Sequence, residues 1–239
     1  MFNATPESLA KLYREIGSDF NVPGFPPHFT DRNFFESADE DFRQTYAESP
    51  VIATDLPSLM ELDDGREDKP TVAFIGQDSK SNQPYEDLVV GTPYGLHHEG
   101  SREKLSNTKL YFKMIKVLLE LSYRVYLTDL LKVWVCDPGR HDFKTQKGYR
   151  GMRLPKADQQ KFRQLIEPEL AVVKPEAIVT WGNVARDAVS KLQLDTQHLK
   201  FIHPSGANNR KWSKLLNQSP THLAKLEYWR ETIEREICR

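Results

Sequence analysis

Thr71-Val72-Ala73-Phe74-Ile75-Gly76-Gln77-Asp78-Ser79 is an apolar run that stops at a glycine and then turns polar. A short, continuous apolar run bounded by turn chemistry reads as a strand buried on both faces, as strands of parallel sheets are. Open α/β sheets hold ligands outside the carboxyl ends of their strands. Gly76, Gln77 and Asp78 therefore stand where chemistry is expected. Phe201-Ile202-His203-Pro204-Ser205-Gly206-Ala207-Asn208-Asn209-Arg210-Lys211 repeats the plan, a brief apolar run delivering His203 and a basic, amide-rich loop. The expectation is that the two strand ends face one cleft.

Working outward, strand and helix patterns alternate from Thr71 onward, which indicates a mostly parallel sheet covered on both faces. Leu110, Tyr111, Met114, Ile115, Leu118 and Leu119 recur at helical spacing over 107–121, and a strand follows at 124–128. A helix is predicted over 156–173, with Pro168 expected to kink or split it and Lys174-Pro175 to stop it. Strands at 176–181 and 199–202 flank a short helix at 182–192, and Ser219-Pro220 is expected to cap and open a terminal helix over 221–238. The predicted fold is a three-layer αβα domain over 71–239 with a central, mostly parallel four-stranded sheet. Residues 1–70 are expected to form a helical and extended N-terminal extension packed on that core. There, Thr5-Pro6-Glu7-Ser8 starts one helix, prolines 23, 26 and 27 favour an extended strap, and Ser37-Ala38-Asp39-Glu40 is a capping box opening a second helix.

At 239 residues and 38% hydrophobic composition the chain can bury a full core without metals or disulfides. Cys136 and Cys238 lie far apart and match no ligand spacing, so free thiols in a reducing, cytoplasmic setting are expected. The sequence has no membrane-length apolar run and no signal-peptide pattern at its start. A net charge of -1 argues against a uniformly basic nucleic-acid binder, although a neutral total can hide a basic face.

Five stretches occur in order: Phe74-Ile75-Gly76-Gln77-Asp78, Gly91-Thr92-Pro93-Tyr94-Gly95, Tyr126-Leu127-Thr128-Asp129-Leu130-Leu131-Lys132, 174–185 with its Val179-Thr180-Trp181-Gly182-Asn183, and His203-Pro204-Ser205. Together they resemble the uracil-DNA glycosylase superfamily, over about 71–211, with an unusually long loop between Asp78 and Gly91. The resemblance implies a monofunctional DNA glycosylase of base-excision repair, hydrolysing the N-glycosidic bond of a base flipped out of the stack. Such a reaction passes through an oxocarbenium-like sugar and a departing base anion, so it needs negative charge and water near the sugar and a donor at the base. Asp78 is then expected to stabilise the sugar and position water, His203 to stabilise the leaving base, and the backbone around Gln77 and Gly76 to add donors. Tyr94 stands where relatives stack an aromatic ring on the base, with His97 or His98 as alternatives. Lys80, Ser205, Asn208, Asn209, Arg210 and Lys211 are candidates for holding phosphates, with Asn209 or Arg210 filling the vacated stack. Asp78 also reads as a turn-forming aspartate, His203 as a loop histidine, and Arg210 and Lys211 as a solvated loop.

Two departures from the family point away from plain uracil. Thr128-Asp129 stands where relatives carry Thr-Asn. An amide can accept from the uracil ring N–H and donate to O4, whereas an ionised carboxylate only accepts and suits the cytosine amine. Asp129 can alternatively cap the following turn or pair with Lys132. Ser79-Lys80 replaces the Pro-Tyr pair with which strict uracil enzymes crowd the pyrimidine C5 position. These changes suggest a cytosine bearing a bulky modification, of the sort found in some viral genomes, and with it an antiviral defence role.

The similar branch of the family carries four cysteines around an iron-sulfur cluster, which two cysteines cannot supply. No cofactor or metal is expected, and the adjacent residues His97-His98-Glu99 are poorly arranged to share one ion. DNA is the expected partner, membrane contact is not, and the chain is expected to be a monomer. The rival reading is a non-catalytic nucleic-acid-binding relative; a third is a protein that binds a free base or nucleoside.

Overall fold

The computed structural model describes residues 52–55, 57–62, 64–66, 68–78, 89–91, 106–137, 154–192 and 194–237. The helix and strap expectations for the first 50 residues, and those for Lys80, Tyr94, His97, His98 and Cys238, lie outside these.

The decisive stretch forms β3, Thr71–Asp78, and its Val72 to Ile75 are completely buried. It follows β1, Ile52–Asp55, and β2, Ser58–Met60, and precedes β4, Val89–Gly91. Helix α1, Ser106–Glu120, leads into β5, Arg124–Leu131, and then β6, Val133–Val135. Helix α2, Lys156–Val173, precedes β7, Ala177–Trp181; α3, Asn183–Val189, connects to β8, Gln197–Phe201. A 3-10 turn at Gly206–Asn208 runs into α4, Asn209–Leu216, and the described chain closes with α5, His222–Glu236.

The central sheet has the order β2-β5-β3-β7-β8, with every pair parallel except β2 against β5. The four expected strands are all present, and β2 makes a fifth. It was missed because its three residues give too short a period to read, and its place on the edge is fixed by pairing with Val125 to Leu127. β1, β4 and β6 form a separate three-stranded sheet in the order β4-β1-β6, which the sequence reading did not include.

Period-2 alternation sorts the core into two layers. Val72, Phe74, Val125, Leu127, Val179, Trp181, Leu199 and Phe201 pack in one cluster with Leu110, Met114, Ile115 and Leu118 of α1 and with Trp229 and Ile233 of α5. Ala73, Ile75, Leu130 and Ile178 pack on the other side with Ile166 and Leu170 of α2 and with Ala185 and Val189 of α3. The chain leaves β3 for β5 past α1, then returns across β3 to β7 past α2 on the opposite face. Connections therefore diverge from β3, the arrangement that opens a crevice at the carboxyl end of an α/β sheet. Asp78 is the last residue of that strand.

Two local expectations are corrected. Helix α2 runs unbroken through Pro168, because Ile166 and Leu170 on either side are seated in the core and outweigh one lost backbone hydrogen bond. It ends at Lys174, whose left-handed backbone (φ 49°) lets its N–H reach Leu170 O at 2.8 Å. The terminal helix is capped by Thr221, whose side chain accepts from Ala224 N, rather than by Ser219.

Candidate active site

Alternation along the strands decides which side chains share a face. Asp78 follows Val72 and Phe74 at even spacing, Asp129 follows Val125 and Leu127, and Trp181 follows Val179; all of these apolar positions lie in the α1–α5 layer. His203 continues Leu199 and Phe201 just beyond β8. The carboxyl edge of the sheet thus carries Asp129, Asp78, Trp181 and His203 in spatial order on successive strands. Gly76 is the register partner of Asp129, so no side chain stands between that carboxyl and Asp78 on this strand.

Asp78 is half-buried and accepts from Gln77 Nε2 at 2.8 Å. Gln77 itself is exposed and holds the carboxylate through its side-chain amide. His203 packs edge-on to Tyr111 (centroids 5.5 Å) and to Trp181 (6.4 Å). Burial and the nearby Lys225 ammonium push its pKa down to about 4, so the ring is neutral at pH 7. Its Nδ1 accepts from Ser205 N at 3.2 Å. A neutral imidazole that accepts at Nδ1 carries its proton on Nε2, where it can donate. Gly182, at the turn after Trp181, holds φ 94° and ψ 172°, a region for glycine alone, with the His203 Cβ 3.5 Å from where its own Cβ would stand.

The loop after His203 is tied down from behind. Lys225, 1% exposed, donates to Pro204 O at 2.9 Å and to Asn209 Oδ1 at 2.8 Å, and lies 5.8 Å from the centre of the Trp212 ring. Trp212 Nε1 in turn donates to His203 O at 3.1 Å. Sequence reasoning missed Lys225, although a signal was present: it sits four residues before the buried Trp229, on the inward stripe of α5. Of the expected phosphate holders, Ser205 lies 3.0 Å from His203 Nδ1, Asn208 donates to Ser205 Oγ at 3.4 Å, and Asn209 is turned to Lys225. Arg210 and Lys211 are exposed on the first turn of α4. Among the described residues no group of three or more His, Cys, Asp or Glu is placed to hold a metal, and no helix is long and apolar enough to cross a membrane. Cys136 is a buried free thiol just after β6.

Asp129 lies within β5, which continues to Leu131, and is 1% exposed. Its place inside the strand is not that of a turn cap, and Lys132, whose charge acts on Asp129, has close ion pairs with Asp55 and Glu169. Lys132 Nζ meets Asp55 Oδ2 at 3.1 Å and Glu169 Oε2 at 2.7 Å and donates to Thr128 Oγ1. Thr128 Oγ1 lies 3.1 Å from Asp55 Oδ2 and 2.6 Å from Glu169 Oε1, which also accepts from Tyr126 OH at 2.7 Å. Asp55 Oδ2 accepts from the backbone N of Asp129 at 3.0 Å. Asp129 Oδ2 and Asp55 Oδ1 are buried without a hydrogen-bond partner among the described residues. Burial foremost, and then the neighbouring Asp55 and Asp78 carboxylates, push the Asp129 pKa well above the ordinary carboxyl range, and burial pushes Asp55 up to about 6.

Burial therefore favours the protonated form of Asp129 over the ionised carboxylate expected from sequence, and a protonated carboxyl has one donor and one acceptor. An acid held protonated makes folding take up protons, so its contribution is complete below the unfolded value of 3.8 and is lost as pH rises through the higher folded pKa. Asparagine carries no such dependence. The Tm of Asp129→Asn relative to the unmodified protein should rise by roughly 3–5 °C per pH unit within that window. Thermal unfolding from pH 5 to pH 9 measures it, and a relative Tm that falls with pH would show that the charged form is the stabilised one.

Comparison with curated proteins finds no match. The family model described as the Uracil DNA glycosylase superfamily matches residues 62–231, well over half of the 239-residue chain, and the match takes in all the strands of the central sheet but its antiparallel edge. The chain belongs to the uracil DNA glycosylase superfamily.

Proposed function

We propose that this protein is a monofunctional DNA glycosylase that hydrolyses the N-glycosidic bond of a flipped pyrimidine. The observation that carries the reading is the single face shared by Asp78, Asp129 and His203 at the carboxyl edge of the sheet, where connections diverge. Cleavage leaves positive charge on the sugar and negative charge on the base, and the site is polarised in that sense. The Asp78 carboxylate, steadied by Gln77, faces the sugar and orients water. His203 Nε2–H faces the base oxygen, and burial, helped by the neighbouring Lys225 ammonium, keeps the ring neutral so that it donates without being a full cation.

The target we assign is a cytosine-type base with an enlarged C5 substituent, acted on in DNA. Asp129 supplies a donor and an acceptor to the N3 and 4-amino edge, and Ser79-Lys80 stands in the sequence where strict uracil enzymes carry the Pro-Tyr pair that crowds C5. Such bases occur in modified viral genomes, which gives the activity a defensive use. Arg210 and Lys211 are assigned to the DNA backbone.

Single-turnover release from single- and double-stranded DNA containing uracil, cytosine, or cytosine with 5-methyl, 5-hydroxymethyl and larger substituents tests this. We expect free base and an abasic site from the 5-substituted cytosines. Release of uracil with none from any cytosine would overturn the target assignment, and DNA binding without release from any substrate would favour the non-catalytic relative.

A further inference from the structure

The sheet edge holds a carboxyl group that the hydrolytic scheme above leaves without a chemical step. Asp129 is sealed in the fold, one of its oxygens has no partner among the described residues, and it stands on the face shared with Asp78 and His203. Charged groups approach it from three further directions: Asp78 from β3, Asp55 from β1, and Glu169 from α2, with Lys132 at the end of its own strand. Lys132 supplies an ammonium among these carboxyl groups. That ammonium is directed to Asp55 and Glu169, at 3.1 and 2.7 Å. Asp55, whose Oδ1 likewise lacks a hydrogen-bond partner among the described residues, commits its second oxygen to Thr128, Lys132 and the Asp129 backbone. Among the described residues Lys132 is the cation whose charge acts on Asp129, and it makes its close contacts with Asp55, Glu169 and Thr128.

We propose that Asp129 is the general acid of this enzyme, passing its carboxylic proton to N3 of an extruded cytosine-type base as the glycosidic bond breaks. The inference rests on the glycosylase reading given above. Cytosine leaving as an anion is a poorer leaving group than uracil, because its ring lacks the second carbonyl that spreads the charge. In the proposed step the C1′–N1 electron pair stays with the base, and the Asp129 proton moves to N3, so that a neutral base departs. The other Asp129 oxygen accepts from the 4-amino group throughout. Water adds to C1′ and yields its proton to Asp78. Asp129, left as a carboxylate, regains a proton from solvent when the base has gone, and Asp78 loses one, which completes a hydrolysis. The Asp55–Thr128–Lys132–Glu169 group is a positioning device in this scheme: it engages the Lys132 ammonium and fixes the Asp129 backbone, which favours the proton on Asp129.

The test is single-turnover release of cytosine, 5-hydroxymethylcytosine and uracil from duplex DNA between pH 5 and pH 9, for the unmodified protein and Asp129→Asn. The cytosine rates should fall about tenfold per pH unit once Asp129 ionises, whereas the uracil rate should settle to a plateau, since uracil needs no proton at N3. Asparagine can pair with either base edge but has no proton to give. Asp129→Asn should therefore slow release of the cytosines by about 10²-fold or more and invert the cytosine-to-uracil rate ratio. An unchanged ratio, cytosine rates that do not fall with pH, or release of uracil alone by the unmodified protein would overturn the acid role while leaving a glycosylase. No release of any base would sink both readings.

Discussion

Asp78→Asn is expected to slow base release by about 10²- to 10⁴-fold while duplex affinity is held or slightly raised. Asparagine has the same shape as aspartate and can still accept from Gln77, so the loop geometry set by that 2.8 Å bond survives. What disappears is the negative charge beside the sugar and the acceptor that turns water toward C1′. Where bound substrate excludes bulk water, a charge aimed at a developing oxocarbenium ion is worth several kcal/mol. Removing one negative charge from a surface that meets phosphates cannot weaken binding by that route. Single-turnover release and fluorescence anisotropy, measured on the same preparation, separate the effects. Equal rates for variant and unmodified protein would mean that Asp78 is a strand-end turn residue, as its position after Gly76 also permits.

Lys132→Met is expected to cost about 3–5 kcal/mol of stability at pH 8, which is roughly 6–20 °C in Tm for a chain of this size. Methionine keeps the length of the side chain but strands Asp55 and Glu169, both of which now face the ammonium, in a buried setting. The deficit should shrink towards pH 5. Burial already raises the Asp55 pKa to about 6, and without the ammonium that value climbs further, so acid protonates the orphaned carboxyls and removes most of the penalty. The sign is opposite to that of a surface ion pair, whose loss is felt weakly at any pH where both partners are charged. Thermal unfolding at the two pH values is the measurement. A deficit under about 1 kcal/mol at pH 8 would mean that the pairs seen around Lys132 are exchanged for water without cost.

The sequence determined four strands, read from 71, 124, 176 and 199 and found from 71, 124, 177 and 197, and their polar carboxyl ends, because apolar runs, helical spacing and glycine or proline punctuation are local signals read within some ten residues. It also placed Asp78, Asp129 and His203 at strand ends, and the family pattern gave them roles. Only the tertiary structure shows which way its surroundings push the Asp129 carboxyl. Asp55, which holds its backbone, lies 74 residues away, and the Lys132 cation is taken by Asp55 and by Glu169 from a helix in a different layer. Protonation depends on burial and on neighbours in space, so a carboxyl that reads as ionised from its residue type meets, in the fold, surroundings that favour its neutral form. Lys225 illustrates the same limit: its spacing marks it as inward-facing, but only packing shows that what it holds is the loop of His203.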